Sequence, residues 1–384
     1  DLVSAVRSGD IEESFIDRAC RRVLLQKVRQ GLLDSDWDPA DDISADPETY
    51  DLDTAANRQV ALEAARESVI LLKNENNLLP IQTPKLKIAL IGPCADDGGT
   101  FLGCYSYANH IMAQYEHLGM GIEVPTLKGA LERLLPDSEI SFLAGVPIKD
   151  FDLSGITEAK KLVESADLAI YVVGDRAGLF GRGTSGEGND VPDLKLPGAQ
   201  AEMLDACLES KVPGIIVSVS GRPYALGDFV DRAQAIIQAF MPGEEGGTAI
   251  AEIITGAISP CGRLPVEIPS TIFGQPSTYL QPKYGTPGLG MSPVDSIPLY
   301  TFGHGLTYTH FEYSNMQTNS TELDTSGTIL VSVDIKNDGN RDGIEVVQLY
   351  FNDPVAEVAR PVIQLLGFAR VSLKPGESKV ISFE

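Results

Sequence analysis

From Lys85 onward the chain alternates short, nearly continuous apolar runs with segments of helical periodicity, and few folds accept that pattern. The runs are Lys87–Ile91, Glu139–Leu143, Leu168–Val173, Gly214–Val219 and Ala235–Phe240. Between them, apolar spacing predicts helices near Thr126–Leu135, Thr157–Ser165, Pro197–Ser210 and Gly246–Thr255. A strand with no polar alternation is buried on both faces. Strands that alternate with helices form a parallel sheet joined by crossover helices. The expected fold class is therefore α/β, a mostly parallel-sheet α/β sandwich over residues 57–270. At 384 residues the chain has room for two or three domains at roughly 150 residues each.

The flanks read differently. Asp10 and Glu13 form a D-x-x-E capping pair ahead of Phe15, Ile16, Ala19, Val23 and Leu24 at helical spacing, and Gly31 is a stop. The acidic stretch from Asp34 to Asp53, with Pro39 and Pro47, reads as a linker over residues 35–56. Asn57 to Leu72 reads as a second helix, alanine-rich and so closely packed. Pro, Gly and Tyr crowd residues 270–300, part of a connecting segment at 271–312. From residue 313 the apolar period is two. Thr328–Lys336, the turn at Asn337-Asp-Gly339, Glu345–Phe351, the turn at Leu373-Lys-Pro-Gly376 and Ser378–Phe383 predict a small β-sandwich. The chain has no initiator Met and ends within what reads as a strand, so an internal fragment is expected.

Thirty basic against 54 acidic side chains give a net charge of −24. That balance argues against a nucleic-acid groove or an anionic membrane surface as the main partner. No run approaches the roughly 18 apolar residues of a membrane-spanning helix. The five cysteines (Cys20, Cys94, Cys104, Cys207, Cys261) and four histidines (His110, His117, His304, His310) show no C-x-x-C or H-E-x-x-H spacing, so no protein-bound metal is expected. Reduced thiols favour a cytoplasmic setting, with secretion left open. Whether a second copy of the chain is a partner is not legible.

One loop carries chemistry. Gly174–Gly188 reads GDRAGLFGRGTSGEG, with six glycines in fifteen residues. It leaves the carboxyl end of a predicted parallel strand, where open α/β sheets place their ligands. Gly181, Gly183 and Gly186 form a G-x-G-x-x-G, but the triplet begins eight residues past Val173 and runs on to Pro192 and Pro197 with no helix start behind it. A dinucleotide fingerprint needs both contexts. Glu187 is the residue of interest. Its plain reading is a solvated loop carboxylate. Against that stand glycines on both sides, which let the backbone approach another surface; a loop length usually reserved for function; and Arg176 and Arg182 as charge partners. Asp175 and Asp190 read as loop-shaping or Arg-pairing residues.

These residues resemble the acid/base loop of glycoside hydrolase family 3, through Thr184-Ser-Gly-Glu-Gly-Asn-Asp190 and Leu194-Lys-Leu-Pro-Gly-Ala-Gln200. Lys27 and Gly31-Leu-Leu-Asp34 resemble the last helix of that family's barrel domain. Ala64-Ala-Arg-Glu-Ser-Val-Ile-Leu-Leu-Lys-Asn74 with Leu78-Leu-Pro80 resembles the entry to its second domain. Met241-Pro-Gly-Glu-Glu-Gly-Gly247 and Gly262-Arg-Leu-Pro265 resemble that domain's end, and Tyr300-Thr-Phe-Gly-His-Gly-Leu-Thr-Tyr308 the entry to a fibronectin-III-like domain. The resemblance implies the end of a TIM-type barrel at 1–34, an α/β sandwich at 57–270 and a truncated fibronectin-III-like β-sandwich at 313–384. It implies part of a retaining exo-β-glycosidase acting on a small oligosaccharide or glycoside that ends in glucose or xylose, with no cofactor. Glu187 would be the acid/base. The nucleophile would be an aspartate in the missing N-terminal barrel domain, since none in this chain matches its motif. In Gly103-Cys-Tyr-Ser106, Ser106 would meet the sugar and Tyr105 would be a platform, against the plainer reading of a packed turn. That wording leans towards the xylosidase-like branch. His304 would be structural. The alternative is a non-catalytic carbohydrate-binding or scaffold protein on the same fold.

Overall fold

The computed structural model describes residues 1–38, 51, 53–273, 278–282, 297–324 and 326–384, the side chains of residues 111, 113 and 116 aside. Much of the predicted linker at 35–56 and of the connection at 271–312 therefore lies outside the described residues. The chain forms two units, Asp1–Thr54 and Ala55–Glu384. In the first, α1 (Leu2–Ser8) and α2 (Glu13–Arg29) are helices. Asp1 caps α1 by accepting the Ser4 amide at 2.8 Å. The capping role predicted for Asp10 is not taken. Helix α2 follows Glu12 and has no side-chain cap, and the Asp10 carboxylate accepts the Ser8 hydroxyl at 2.6 Å instead. The chain turns at Gly31, which has φ +72°.

The second unit opens with α3 (Ala55–Ser68) and β1 (Ile70–Asn74). Here the sequence reading fails, because the predicted helix does not reach Leu72. Val69, Ile70, Leu71 and Leu72 form a β-branched-to-aliphatic run that is buried on both faces. Such a run is more stable as an extended strand inside a sheet than as the end of an exposed helix. Nor are the alanines of α3 closely packed, since Ala65 alone is buried.

The remaining elements follow the predicted alternation. They are β2 (Lys87–Ile91), α4 (Tyr107–Gln114), α5 (Leu127–Leu134), β3 (Glu139–Leu143), α6 (Ile156–Glu164), β4 (Leu168–Gly174), α7 (Gln200–Cys207), β5 (Gly214–Val219), α8 (Gly227–Val230), β6 (Ala235–Gln238) and α9 (Gly246–Thr255). Strand order in the six-stranded sheet is β1-β6-β5-β4-β2-β3. Strands β2 to β6 run parallel, with Ile88 opposite Ile140 and Leu168. Edge strand β1 is antiparallel to β6, with Ile70 opposite Gln238. All of β4 and β5 is buried. Successive residues feed two cores: Leu168, Ile170 and Val172 pack on the α5 and α9 side, and Ala169, Tyr171 and Val173 on the α6 and α7 side. That is the three-layer sandwich the apolar runs imply.

Strands β7 (Ile268–Pro269) and β8 (Pro298–Tyr300) pair antiparallel. They lead to β9 (Phe311–Thr318), β10 (Val331–Asn337), β11 (Gly343–Phe351), β12 (Gln364–Leu373) and β13 (Ser378–Phe383). Sheets β13-β10-β9 and β11-β12 enclose Ile335, Val347, Val371, Leu373 and Ile381. Strands β9 and β12 escape sequence reading for different reasons. Strand β9 is mostly exposed and polar. Strand β12 carries exposed Leu366 and Phe368 around Gly367, which erases the alternation. The largely buried pair Arg263–Glu345, at 2.9 Å, joins this sandwich to the α/β body. The Tyr313 hydroxyl donates to the same Glu345 at 2.9 Å. Nε2 of His304 sits 2.8 Å from the Leu72 carbonyl, which can only accept, so that nitrogen carries the proton. That bond ties the turn after β8 to β1, which supports the structural reading of this residue.

Strand β4 ends at Gly174, whose φ is +142°. A Cβ there would lie 1.8 Å from the Val219 carbonyl oxygen. No side chain fits without parting β4 from β5, so Gly174→Ala should lower unfolding stability by more than about 3 kcal/mol, measured by urea denaturation of the 384-residue chain.

Candidate active site

The sheet order fixes where a site can form. From β2 the chain moves outward to β3, then returns to the other side of β2 to lay down β4, β5 and β6. The order reverses between β2 and β4, and ligands of open α/β sheets bind outside the carboxyl ends of the strands at such a reversal. The loop leaving β2 carries Tyr105 and Ser106. The loop leaving β4 carries Glu187. The three residues predicted from sequence thus come from the two strands that flank the switch point.

Asp175, the first residue after β4, anchors the Glu187 loop. It is fully buried. Its carboxylate accepts the Thr184 hydroxyl at 2.7 Å, the Tyr224 hydroxyl at 2.6 Å and the Gly221 amide at 2.9 Å. The Arg222 guanidinium stands 3.9 Å away. A buried carboxylate is tolerated only with partners of this kind. Burial, with the charge of Asp175 added, pushes the Tyr224 hydroxyl far above the usual phenol range, so it stays a donor. Asp175 is loop-shaping, as the sequence reading has it, while Asp190 is exposed.

The loop then folds on itself. The Thr184 amide donates to the Arg176 carbonyl at 2.9 Å, Gly178 to Ser185 at 3.0 Å and Phe180 to the Glu187 carbonyl at 2.8 Å. The buried Asn189 side chain donates to the carbonyls of Gly178 at 2.8 Å and Glu187 at 3.1 Å. Gly186 has φ +105°, and a Cβ on it would fall 2.5 Å from the Gly178 carbonyl and 2.6 Å from Cβ of Cys104. The close approach that the flanking glycines predict is therefore real, and the surface approached is the β2 loop. The next helix, α7, begins only at Gln200, so no helix starts directly behind the G-x-G-x-x-G glycines.

Two contacts tie the loops together. The Arg176 guanidinium pairs with Asp97, and the Tyr105 hydroxyl donates to Oε2 of Glu187. Both Tyr105 and Glu187 are exposed. The Tyr105 ring meets His110 edge-on, with centroids 5.8 Å apart. Ser106 Oγ accepts the Asn109 amide at 3.3 Å in the first turn of α4, so this hydroxyl already has a turn-forming role. Between the two loops a cavity of about 170 Å³ is lined by Cys104, Asn109, Arg176, Leu179 and Arg182. Among the described residues no cluster of His, Cys, Asp and Glu is arranged to hold a metal ion, and no helix is long and apolar enough to cross a membrane.

Arg222, in the loop after β5, went unnoticed in the sequence. Its guanidinium donates to the carbonyls of Thr184, at 2.5 Å, and Asn189. The only local signal was Ser220-Gly-Arg-Pro223 at a strand end, which does not by itself name a partner.

Known proteins share this architecture. Residues 69–308 match the model of the glycosyl hydrolase family 3 C-terminal domain, and residues 345–384 that of a fibronectin type III-like domain. A beta-xylosidase of Formosa agariphila is 35% identical over 96% of this chain and 50% of its own length. A periplasmic beta-glucosidase of Salmonella typhimurium is 31% identical over all of this chain and 52% of its own length. The chain spans about half the length of the curated relatives it matches. A beta-glucosidase from Listeria innocua, crystallised in complex with isofagomine, superposes with a TM-score of 0.80 at 26% identity, covering all of this chain and 52% of that one.

The Tyr105–Glu187 contact is open to direct test. Accepting a hydrogen bond and adding a negative charge nearby, Glu187 raises the Tyr105 pKa above its ordinary value. In Glu187→Gln the charge is gone, so the phenol should ionise at lower pH than in the unchanged chain. NMR titration of the Tyr105 Cζ resonance reads this; an unmoved titration would mean the contact is absent in solution.

Proposed function

The chain belongs to glycoside hydrolase family 3, and from that premise we propose that it is the part of a retaining, exo-acting β-glycosidase that supplies the general acid/base. Glu187 is that residue. It protonates the glycosidic oxygen as the bond to the sugar breaks, then takes a proton from the incoming water. The observation that carries the reading is the placing of Glu187. Its carboxylate projects at the reversal point of the sheet, on a loop fixed by a buried hydrogen-bonded hub. A merely solvated surface carboxylate would need no such frame. The substrate is a small β-linked oligosaccharide or glycoside whose terminal glucose or xylose is released. Both sugars appear in the names of the relatives, which supports the class and leaves the choice between them open. Tyr105 holds the Glu187 carboxylate from the β2 loop and offers its ring beside the leaving group, with Ser106 at the foot of the same turn.

A retaining mechanism needs a second carboxylate about 5–5.5 Å from the first. Asp175 is committed to four partners inside the body, and Asp190, the residue after the buried Asn189, is exposed. We assign the nucleophile to an aspartate outside these 384 residues, in the remaining half of the length its relatives have. The chemistry asks for no cofactor.

In the full-length enzyme, Glu187→Ala should lower kcat/KM for glycosides with poor leaving groups by about 10²–10⁴-fold. Dinitrophenyl glycosides leave without a proton and should keep most of theirs. Azide should restore turnover on the activated substrates and yield a glycosyl azide of unchanged anomeric configuration. The isolated 384-residue chain should show no hydrolysis of an aryl β-glycoside. Full activity of Glu187→Ala on an alkyl glycoside would remove the assignment.

A further inference from the structure

An exposed side chain at the tip of a long loop is aimed only as well as the backbone on either side of it. In this loop the backbone that flanks Glu187 on both sides is gripped from outside by Arg222. Arg222 stands in the turn after β5, with a side chain only 18% exposed. One arm of its guanidinium donates to the Thr184 carbonyl at 2.5 Å and the other to the Asn189 carbonyl. Thr184 lies three residues before Glu187 and Asn189 two residues after it, so the fork spans the base of the segment that carries the carboxylate. Behind the fork, the Asp175 carboxylate lies 3.9 Å from the same guanidinium. Through the Thr184 hydroxyl, at 2.7 Å, it also fixes one end of that span.

We infer that Arg222 is a positioning residue for the acid/base, and that its forked geometry rather than its charge does the positioning. The inference rests on the reading of Glu187 as the acid/base. The planar guanidinium offers donors in fixed directions, whereas a lysine ammonium is a single point of charge on a flexible stem. A lysine at this position keeps a cation near Asp175 and can satisfy one of the two carbonyls. It cannot hold both at a fixed separation. The span is then free to widen or rotate, and Glu187 moves with it. Misplacement of a catalytic group by about 1 Å can cost 10²-fold.

The test is Arg222→Lys in the full-length enzyme, assayed on two β-glycosides of one sugar, one with an alkyl aglycone and one with a dinitrophenyl aglycone. Proton donation matters to the first and not to the second. The expected result is a loss of about 10- to 100-fold in kcat/KM for the alkyl glycoside, with the dinitrophenyl glycoside within about threefold of the unchanged enzyme. A structural defect that merely lowers the active fraction reduces both equally, and an unchanged ratio therefore overturns the inference. Glu187→Ala, measured alongside, separates the two levels. If its ratio shifts while that of Arg222→Lys does not, the positioning role fails alone. If the ratio of Glu187→Ala is also unmoved, the acid/base reading fails and takes this inference with it. Should Arg222→Lys not be recovered folded, Arg222→Gln keeps a planar amide donor at the same position but loses the second arm of the fork that spans the Thr184 and Asn189 carbonyls. It should shift the ratio in the same direction by several-fold, and an unshifted ratio there overturns the inference equally.

Discussion

A single buried carboxylate organises this molecule's candidate site. Asp175 is fully buried, and the chain surrounding it supplies its partners. It draws on two loops: Thr184 from its own, and the Gly221 amide and Tyr224 hydroxyl from the loop after β5, with Arg222 behind them. Removing one partner of such a group typically costs about 3–5 kcal/mol, because the charge stays while its compensation goes. The hub is therefore also a registration device. The β4 and β5 loops have few ways to satisfy it, and the one they adopt sends the glycine-rich segment towards the β2 loop.

Glycine completes what the hub begins. Gly174 lets the chain leave β4 hard against β5, where a Cβ would meet the Val219 carbonyl. Gly186 lets the returning segment lie on Cys104. Between these approaches the loop needs no element of its own. It is held by side chains of neighbours and by backbone bonds such as Phe180 to Glu187. This gives an exposed carboxylate a rigid base, the arrangement a proton-transfer group needs if its position is to be set before substrate arrives.

Much of this was legible in the sequence, for reasons that can be stated. Runs such as Leu168–Val173 have no polar face, so a doubly covered parallel strand was the reading that left nothing unexplained. The glycines around Glu187 were too many for a loop that merely connects. What escaped was long-range or locally ambiguous. Ile70–Leu72 follows a good helix and is apolar in every position, and only the exposed edge of β6 decides that it pairs as β1. Asp10 had the right spacing for a cap but sits too far ahead of a helix that starts at Glu13. Arg222 is separated from Glu187 by 35 positions, and nothing in a single sequence links a strand-end arginine to two carbonyls in another loop. The hub, likewise, was visible only as an acidic residue with a loop-shaping role, because its meaning lies in Tyr224 and Gly221.

One tension remains inside the proposed chemistry, and it bears on how the work is divided. Glu187 is exposed in this chain, and its partner Tyr105 is exposed with it. The Tyr105 hydroxyl donates to this carboxylate, an arrangement that suits the step in which the residue acts as a base. The preceding step needs the same group to deliver a proton, in surroundings that exclude water. The α/β body can fix where the carboxylate points, but it leaves the carboxylate exposed. On the proposed reading, cover must come from the substrate and from the part of the enzyme that holds the nucleophile. As the aglycone oxygen enters, it competes with the Tyr105 hydroxyl for the same carboxylate oxygen. Aiming is then the property of this chain, through Asp175, Arg222 and the glycines, and desolvation is a property of the closed complex. That division explains why the loop is built for rigidity rather than burial: a group that must be accessible to its partner cannot be buried in advance, so it has to be held still instead.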